Sequence, residues 1–174
     1  MRTLYLLRHG DAEPKAPGGA DHDRPLVPEG CRASERVGAH VAGLAAPPTL
    51  LLSSSARRAV ETLEALLPNL PGVVEVLRER ELYLAGSDRI LGRICEVDDR
   101  HPAVLVVGHN PGVGRLAHGL VRPGAGADFE HLQLGFPAAA LAVLTFEVDR
   151  WLDIGLQRAR LDGFICPARP AATR

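Results

Sequence analysis

Arg8-His9-Gly10 stands directly behind the apolar run Leu4-Tyr5-Leu6-Leu7. A run that short, closing in charged residues and a glycine, reads as a buried strand delivering side chains to a sheet edge. A histidine there can act as a nucleophile, and the arginine beside it can hold an anion. Gly10 permits a sharp turn and a close backbone approach to a ligand. Two further segments carry matching chemistry. Ser53-Ser54-Ser55 leads to Arg57 and Arg58, and Gly108-His109-Asn110 follows the run Ala103-Val104-Leu105-Val106-Val107. Two histidines and at least two arginines gathered in one crevice make a cationic, donor-rich pocket of the kind a phosphate dianion requires. A metal site built from His9, His109 and Asp11 is a competing reading. Its ligand types suit, but the flanking guanidinium charges oppose a cation.

These residues need elements that bring them together. The run from Arg2 to Leu7 is a first strand, followed by a Gly/Pro-rich loop from Asp11 to about Val27. Pro28 and Glu29 suit a helix start, and Val37, Val41 and Leu44 continue it at helical spacing. Pro47-Pro48 ends that helix before a second strand at Thr49-Leu50-Leu51-Leu52. The three serines then cap a helix with Ala59, Leu63, Leu66 and Leu67 on one face. Val73 to Leu77 is a short strand, and Ser87-Asp88 opens a helix bearing Ile90, Leu91, Ile94 and Val97. Ala103 to Val107, β-branched and uninterrupted, is the clearest buried strand. A helix with Val113, Leu116 and Leu120 inward comes next. Ala138 to Phe146 and Trp151 to Leu156 form two strands as a hairpin around Asp149-Arg150.

This alternation predicts an α/β fold: a three-layer αβα sandwich with a mostly parallel central sheet. In such sheets ligands bind beyond the carboxyl ends of the strands, where the three polar segments fall. Residues 1–166 form one domain and residues 167–174 a C-terminal tail.

Composition narrows the function classes. The 174 residues have room for a substantial core, and 46% hydrophobic with 24% charged residues is ordinary for a globular protein. A net charge of −1 argues against a nucleic-acid or anionic-membrane surface. Cys31, Cys95 and Cys166 have neither metal-ligand nor redox-motif spacing, which predicts a reducing, cytoplasmic location. No apolar run approaches membrane-spanning length.

Read in order, the motifs resemble those of the histidine phosphatase (phosphoglycerate-mutase-like) superfamily, whose signature is an Arg-His-Gly triplet after the first strand. The SixA-type phosphohistidine phosphatase branch is the most similar. Asp23-Arg24-Pro25-Leu26 followed by Gly30 resembles that branch's Arg-Pro-Leu stretch and its glycine. Ser-Ser-Ala-Arg-Arg-Ala-Val-Glu-Thr from Ser54 to Thr62 resembles the family's Arg-bearing helix start, and Val107 to Gly112 its second histidine segment. Three positions depart from the pattern. Val27 stands where a Ser or Thr cap is common, Ser55 replaces a proline, and Glu61 replaces a glutamine.

The resemblance implies a phosphoglycerate-mutase-like fold and assigns roles. His9 is the expected nucleophile, taking the phosphoryl group as a covalent phosphohistidine that water later hydrolyses. Arg8 and Arg58 would bind the phosphate, with His109 as a further donor; the alignment selects Arg58 over Arg57. No metal or other cofactor is expected. Two guanidinium charges lower the pKa of a neighbouring histidine and favour its nucleophilic neutral form. The general acid is expected at Glu79, with Glu81 and Asp11 as alternatives. His22, near Arg24, is a further candidate at the pocket's border.

Only about two dozen residues separate Thr62 from Gly86, too few for the helical lid of larger relatives. The resulting open pocket suits a phosphorylated protein, such as a histidine phosphotransfer domain. A phosphomonoesterase for small phosphate esters would use the same residues, and a non-catalytic phosphate- or phosphoprotein-binding module is the third reading.

Overall fold

The structure, a computed structural model, describes residues 1–72 and 74–167. Six strands form one sheet: β1 (Arg2–Arg8), β2 (Leu50–Ser54), β3 (Glu75–Glu79), β4 (Ala103–Gly108), β5 (Leu141–Phe146) and β6 (Arg160–Ile165). Their order is β3-β2-β4-β1-β5-β6. The first four run parallel, β5 pairs antiparallel with β1, and β6 pairs antiparallel with β5. Among the described residues there are also five helices: α1 (Pro28–Ala42), α2 (Arg57–Leu66), α3 (Ser87–Cys95), α4 (Gly112–Leu120) and α5 (Ala127–Leu134).

Alternation along β1 explains the three layers. Tyr5 and Leu7 face one way, into a core with Val37 and Val41 of α1 and Ala59, Leu63 and Leu66 of α2. Leu4 and Leu6 face the other way, joining Ile90 and Ile94 of α3, Val113, Leu116 and Leu120 of α4, and Leu132 of α5. A sheet covered on both faces has no use for polar residues along its central strands, and every residue of β4 is buried. The mostly parallel αβα sandwich is therefore the observed fold.

Register places the chemistry. Arg8 pairs with Gly108 across β1 and β4, and Ser53 pairs with Val107 across β2 and β4. His9, His109 and Ser54 thus leave the sheet at one carboxyl edge. Among the described residues no large insertion stands between α2 and α3, only β3 and short 3-10 turns at Leu67–Asn69 and Arg80–Leu82.

Several sequence expectations shift. β2 extends through Ser54, so Ser53 and Ser54 belong to the strand and do not cap α2. Ala56 holds the cap position with no side-chain bond. β3 runs from Glu75, and Val73 lies outside the described residues, as does the expected tail from residue 168 onward.

The second hairpin strand is Arg160–Ile165, not Trp151–Leu156. Trp151 begins a 3-10 turn through Asp153. Its indole N–H donates to the His101 carbonyl at 2.7 Å and its backbone N–H to Asp99 Oδ1 at 2.9 Å. Those bonds bury the ring beyond the sheet end and leave β5 free to pair with the later strand. α5 has no counterpart in the sequence reading. Its apolar residues form no single stripe, since Leu132 is buried while Leu134 is 78% exposed.

Candidate active site

The turn after β1 is held from three sides. The His9 N–H donates to the Gly108 carbonyl at 3.1 Å, and the Ala139 N–H donates to the His9 carbonyl at 3.1 Å. The Gly10 N–H donates to Thr62 Oγ1 at 2.9 Å, and the Thr62 hydroxyl donates to the Arg58 carbonyl at 2.7 Å. One threonine thereby ties the His9 turn to the first turn of α2. Glycine is required here by contact: a Cβ on Gly10 would lie 2.6 Å from the Gly30 carbonyl oxygen, and one on Gly30 would lie 2.2 Å from that of Asp11.

Hydrogen bonding fixes the His9 tautomer. Nδ1 lies 2.7 Å from the Gly10 carbonyl oxygen, which can only accept, so Nδ1 carries the proton. Nε2 receives the Arg58 Nε–H at 3.2 Å, so its lone pair faces the guanidinium. Burial, with Arg58, Arg8 and Arg24 adding repulsion, pushes the His9 pKa down to about 4 against the opposing pull of the Gly10 carbonyl. Its imidazole is therefore neutral at physiological pH, with Nε2 unprotonated and accepting from Arg58.

His109 leaves β4 with its ring centroid 5.0 Å from that of His9. Its Nε2 lies 2.7 Å from Ser54 Oγ, an oxygen that already accepts the Ala56 N–H at 3.2 Å. With no other acceptor for it among the described residues, the serine proton goes to His109 Nε2, which leaves the proton of His109 on Nδ1. That Nδ1 is buried without a partner among the described residues, as is Arg8 Nε. Burial and the neighbouring His9 push the His109 pKa down to about 3.

Two arginines complete the wall. Arg8 Nη1 donates to the Phe136 carbonyl at 3.0 Å. Arg58, 2% exposed, occupies the first turn of α2, which has no acidic residue of its own; Asp21 meets its charge from the loop between β1 and α1 at 3.0 Å. A cation there opposes the helix dipole, and a bound anion would favour both. Arg57 turns outward to Glu61 at 2.7 Å, with its side chain 56% exposed. Arg8, His9, Arg58 and His109 line one pocket of about 340 Å³, together with Arg24, Asp11 and Asp21. His22 stands beside it, with Nε2 3.0 Å from Ser55 Oγ.

The expected acid at Glu79 is not brought there. Its carboxylate is chelated by Arg93 of α3, at 2.9 Å to each oxygen from Nε and 2.8 Å from Nη2. Glu81 points outward and pairs with Arg89. Of the three candidates only Asp11 lines the pocket. Among the described residues no three His, Cys, Asp or Glu side chains converge as a metal-ligand set, so His9, His109 and Asp11 do not form one.

Sequence reasoning missed Asp21 and Tyr83. Asp21 Oδ2 accepts from Tyr83 Oη at 2.8 Å and from Arg58 Nη2 at 3.0 Å, and Oδ1 accepts from Arg24 Nη1 at 3.0 Å. The hydrogen bonds from Tyr83 and Arg24, then the Arg58 charge, hold its carboxyl far below the usual carboxylate range. Asp21 sits just ahead of the Asp23-Arg24-Pro25-Leu26 stretch without being part of it, and Tyr83 joins it only through folding.

Residues 4–83 match the family model for the histidine phosphatase superfamily, branch 1. The candidate phosphohistidine phosphatase SixA of Nakamurella multipartitia superposes with a TM-score of 0.82 at 32% identity, covering 97% of each chain. The corresponding protein of Agrobacterium tumefaciens gives 0.79 at 32% identity, over 95% of this chain and 98% of that one. An uncharacterised protein of Mycobacterium tuberculosis is 34% identical over 166 residues, spanning 92% of this chain and 99% of the relative. With the Arg-His-Gly turn, the buried α2 arginine and the second histidine on one sheet edge, the chain belongs to the histidine phosphatase superfamily, in its SixA-type branch.

Proposed function

We propose that this chain is a phosphohistidine phosphatase that works through a covalent intermediate on His9. The observation carrying this reading is the neutral His9, with Nδ1–H spent on the Gly10 carbonyl and Nε2 turned toward Arg58. In the first step the Arg58 Nε–H passes from Nε2 to a non-bridging phosphoryl oxygen, the freed Nε2 lone pair attacks phosphorus, a P–N bond forms, and the bond from phosphorus to the leaving group breaks. In the second step water attacks the phosphohistidine, the P–Nε2 bond breaks, and inorganic phosphate leaves. Arg8, Arg58 and the Nδ1–H of His109 would hold the non-bridging oxygens, the positioning and charge stabilisation that phosphoryl transfer chiefly needs. No step calls for a metal or a cofactor.

The acid inventory supports a phosphohistidine substrate. Asp21 is held ionised by three donors, Glu79 is chelated, and Asp11 alone lines the pocket as a proton source. An imidazole leaving a P–N bond needs little protonation help, whereas an alkoxide needs a good deal. A pocket with no large insertion between α2 and α3 suits a phosphorylated protein, such as a histidine phosphotransfer domain. The SixA-type relatives, named as phosphohistidine phosphatases, support the same substrate class. Hydrolysis of small phosphate esters by the same residues is the second reading, and Asp11 on the pocket wall is what favours it.

The test is hydrolysis of an aryl phosphate in EDTA by wild type and His9→Ala, followed by comparison of a phosphohistidine protein with small esters. Turnover in EDTA should fall by about 10³-fold or more in the variant. A wild type inactive on every phosphate substrate would leave only the binding-module reading.

A further inference from the structure

Asp21 takes no part in the chemistry described above, yet it makes more polar contacts in the pocket than either histidine. It belongs to a 3-10 turn, Asp21–Asp23, in the loop between β1 and α1. Its carbonyl accepts from Arg58 Nη1 at 2.6 Å and its Oδ2 from Arg58 Nη2 at 3.0 Å. Both terminal nitrogens of Arg58 are therefore latched to one residue, and Nε is the edge left facing His9 Nε2 at 3.2 Å. Tyr83 locks the latch from the other side. Its hydroxyl donates to Asp21 Oδ2 at 2.8 Å, while its ring stands edge-on to His109 with centroids 5.6 Å apart and lies 5.9 Å from the Arg58 guanidinium carbon.

A carboxylate inside an anion pocket repels the phosphate it is meant to receive. If Asp21 served only to neutralise a buried arginine, a bond to any one Arg58 nitrogen would do. The observed clamp uses two nitrogens, a backbone and a side-chain oxygen, and a tyrosine from a distant element. Such an arrangement removes rotation of the guanidinium about its long side chain. It fixes the Nε–H beside the attacking atom, so that as Nε2 bonds phosphorus the N–H is already in place for a phosphoryl oxygen, which is how preorganised charge stabilises a transition state.

We infer that Asp21, held by Tyr83, is a positioning residue that aims the Arg58 Nε–H at the reacting face of His9, at a cost in affinity for phosphate. The inference rests on the phosphatase reading for its kinetic consequence but not for its geometry. Asp21→Asn is expected to lower kcat on an aryl phosphate by about tenfold. Competitive inhibition by inorganic phosphate should tighten by about fivefold, because one negative charge leaves the pocket. Tyr83→Phe, which keeps the ring, should lower kcat by about threefold and leave phosphate inhibition within about twofold of wild type.

The Arg58 Nε–H resonance supplies an independent readout. It should exchange slowly with water in the wild type and broaden or exchange rapidly in Asp21→Asn, whatever the turnover. An unchanged resonance overturns the inference. So does a kcat within about twofold of wild type, or a joint loss of kcat, phosphate binding and melting temperature. A wild type without turnover would refute the phosphatase reading while leaving the resonance to decide this one.

Discussion

His9 should remain neutral, as the Nδ1–H tautomer, well below the pH at which an ordinary imidazole is charged. Burial makes the largest contribution, followed by Arg58, Arg8 and Arg24, and together they outweigh the Gly10 carbonyl, taking the pKa from 6.5 to about 4. At pH 5.5 an ordinary imidazole would be about 90% protonated and His9 about 3%, a tenfold difference in competent nucleophile. The same shift acts on stability. Below pH 6.5 the unfolded chain takes up a proton that the folded His9 refuses, so stability falls as pH falls from 6.5 toward 4. The slope is about 1.4 kcal/mol per pH unit, or roughly 3 kcal/mol across the window. His109, pushed down to about 3, acts in the same direction. Titration of the imidazole nitrogens by long-range ¹H–¹⁵N NMR reads both tautomer and pKa, and urea unfolding at pH 7 and 5 reads the stability. An Nε2–H tautomer, or a His9 midpoint between pH 6 and 7, would refute the reasoning.

Two further predictions follow from packing and pairing. Glu79→Gln should leave aryl phosphate turnover within about twofold of wild type while costing about 1 kcal/mol of stability, read by thermal melting, because only the Arg93 chelate is lost. Gly30→Ala places a Cβ 2.2 Å from the Asp11 carbonyl oxygen, and denaturant unfolding should show a loss of about 2–4 kcal/mol because the clash is with backbone.

Elements with one clear period were legible in the sequence. The uninterrupted run Ala103 to Val107 is a strand in every reading, and the observed β4 covers it with one residue more. Pro28 marks the observed start of α1. Where local signals conflict, tertiary contacts decide. Trp151 to Leu156 has strand-like residues, but Asp99 and His101 capture Trp151 and leave pairing with β5 to Arg160–Ile165. α5 gave no signal because its apolar residues split between core and solvent, and helicity there follows from the position of the segment.

The candidate site residues divide in the same way. Strand ends are the one place where a chain can announce its chemistry locally, because in a parallel sheet they all open on one edge. Arg8, His9, Arg58 and His109 stand at or just beyond such ends, and the sequence by itself was enough to group them as candidates that the structure brings to one pocket. The acid and the clamp are set by contacts between distant segments. Glu79 ends β3 in a suitable place, yet nothing in the sequence says which arginine will meet it; folding brought Arg93 of α3 to it. Asp21 and Tyr83 are 62 residues apart and share one hydrogen bond. Only the tertiary structure could decide those partners, because the free energy of a buried charge depends on what surrounds it and not on what precedes it in the chain.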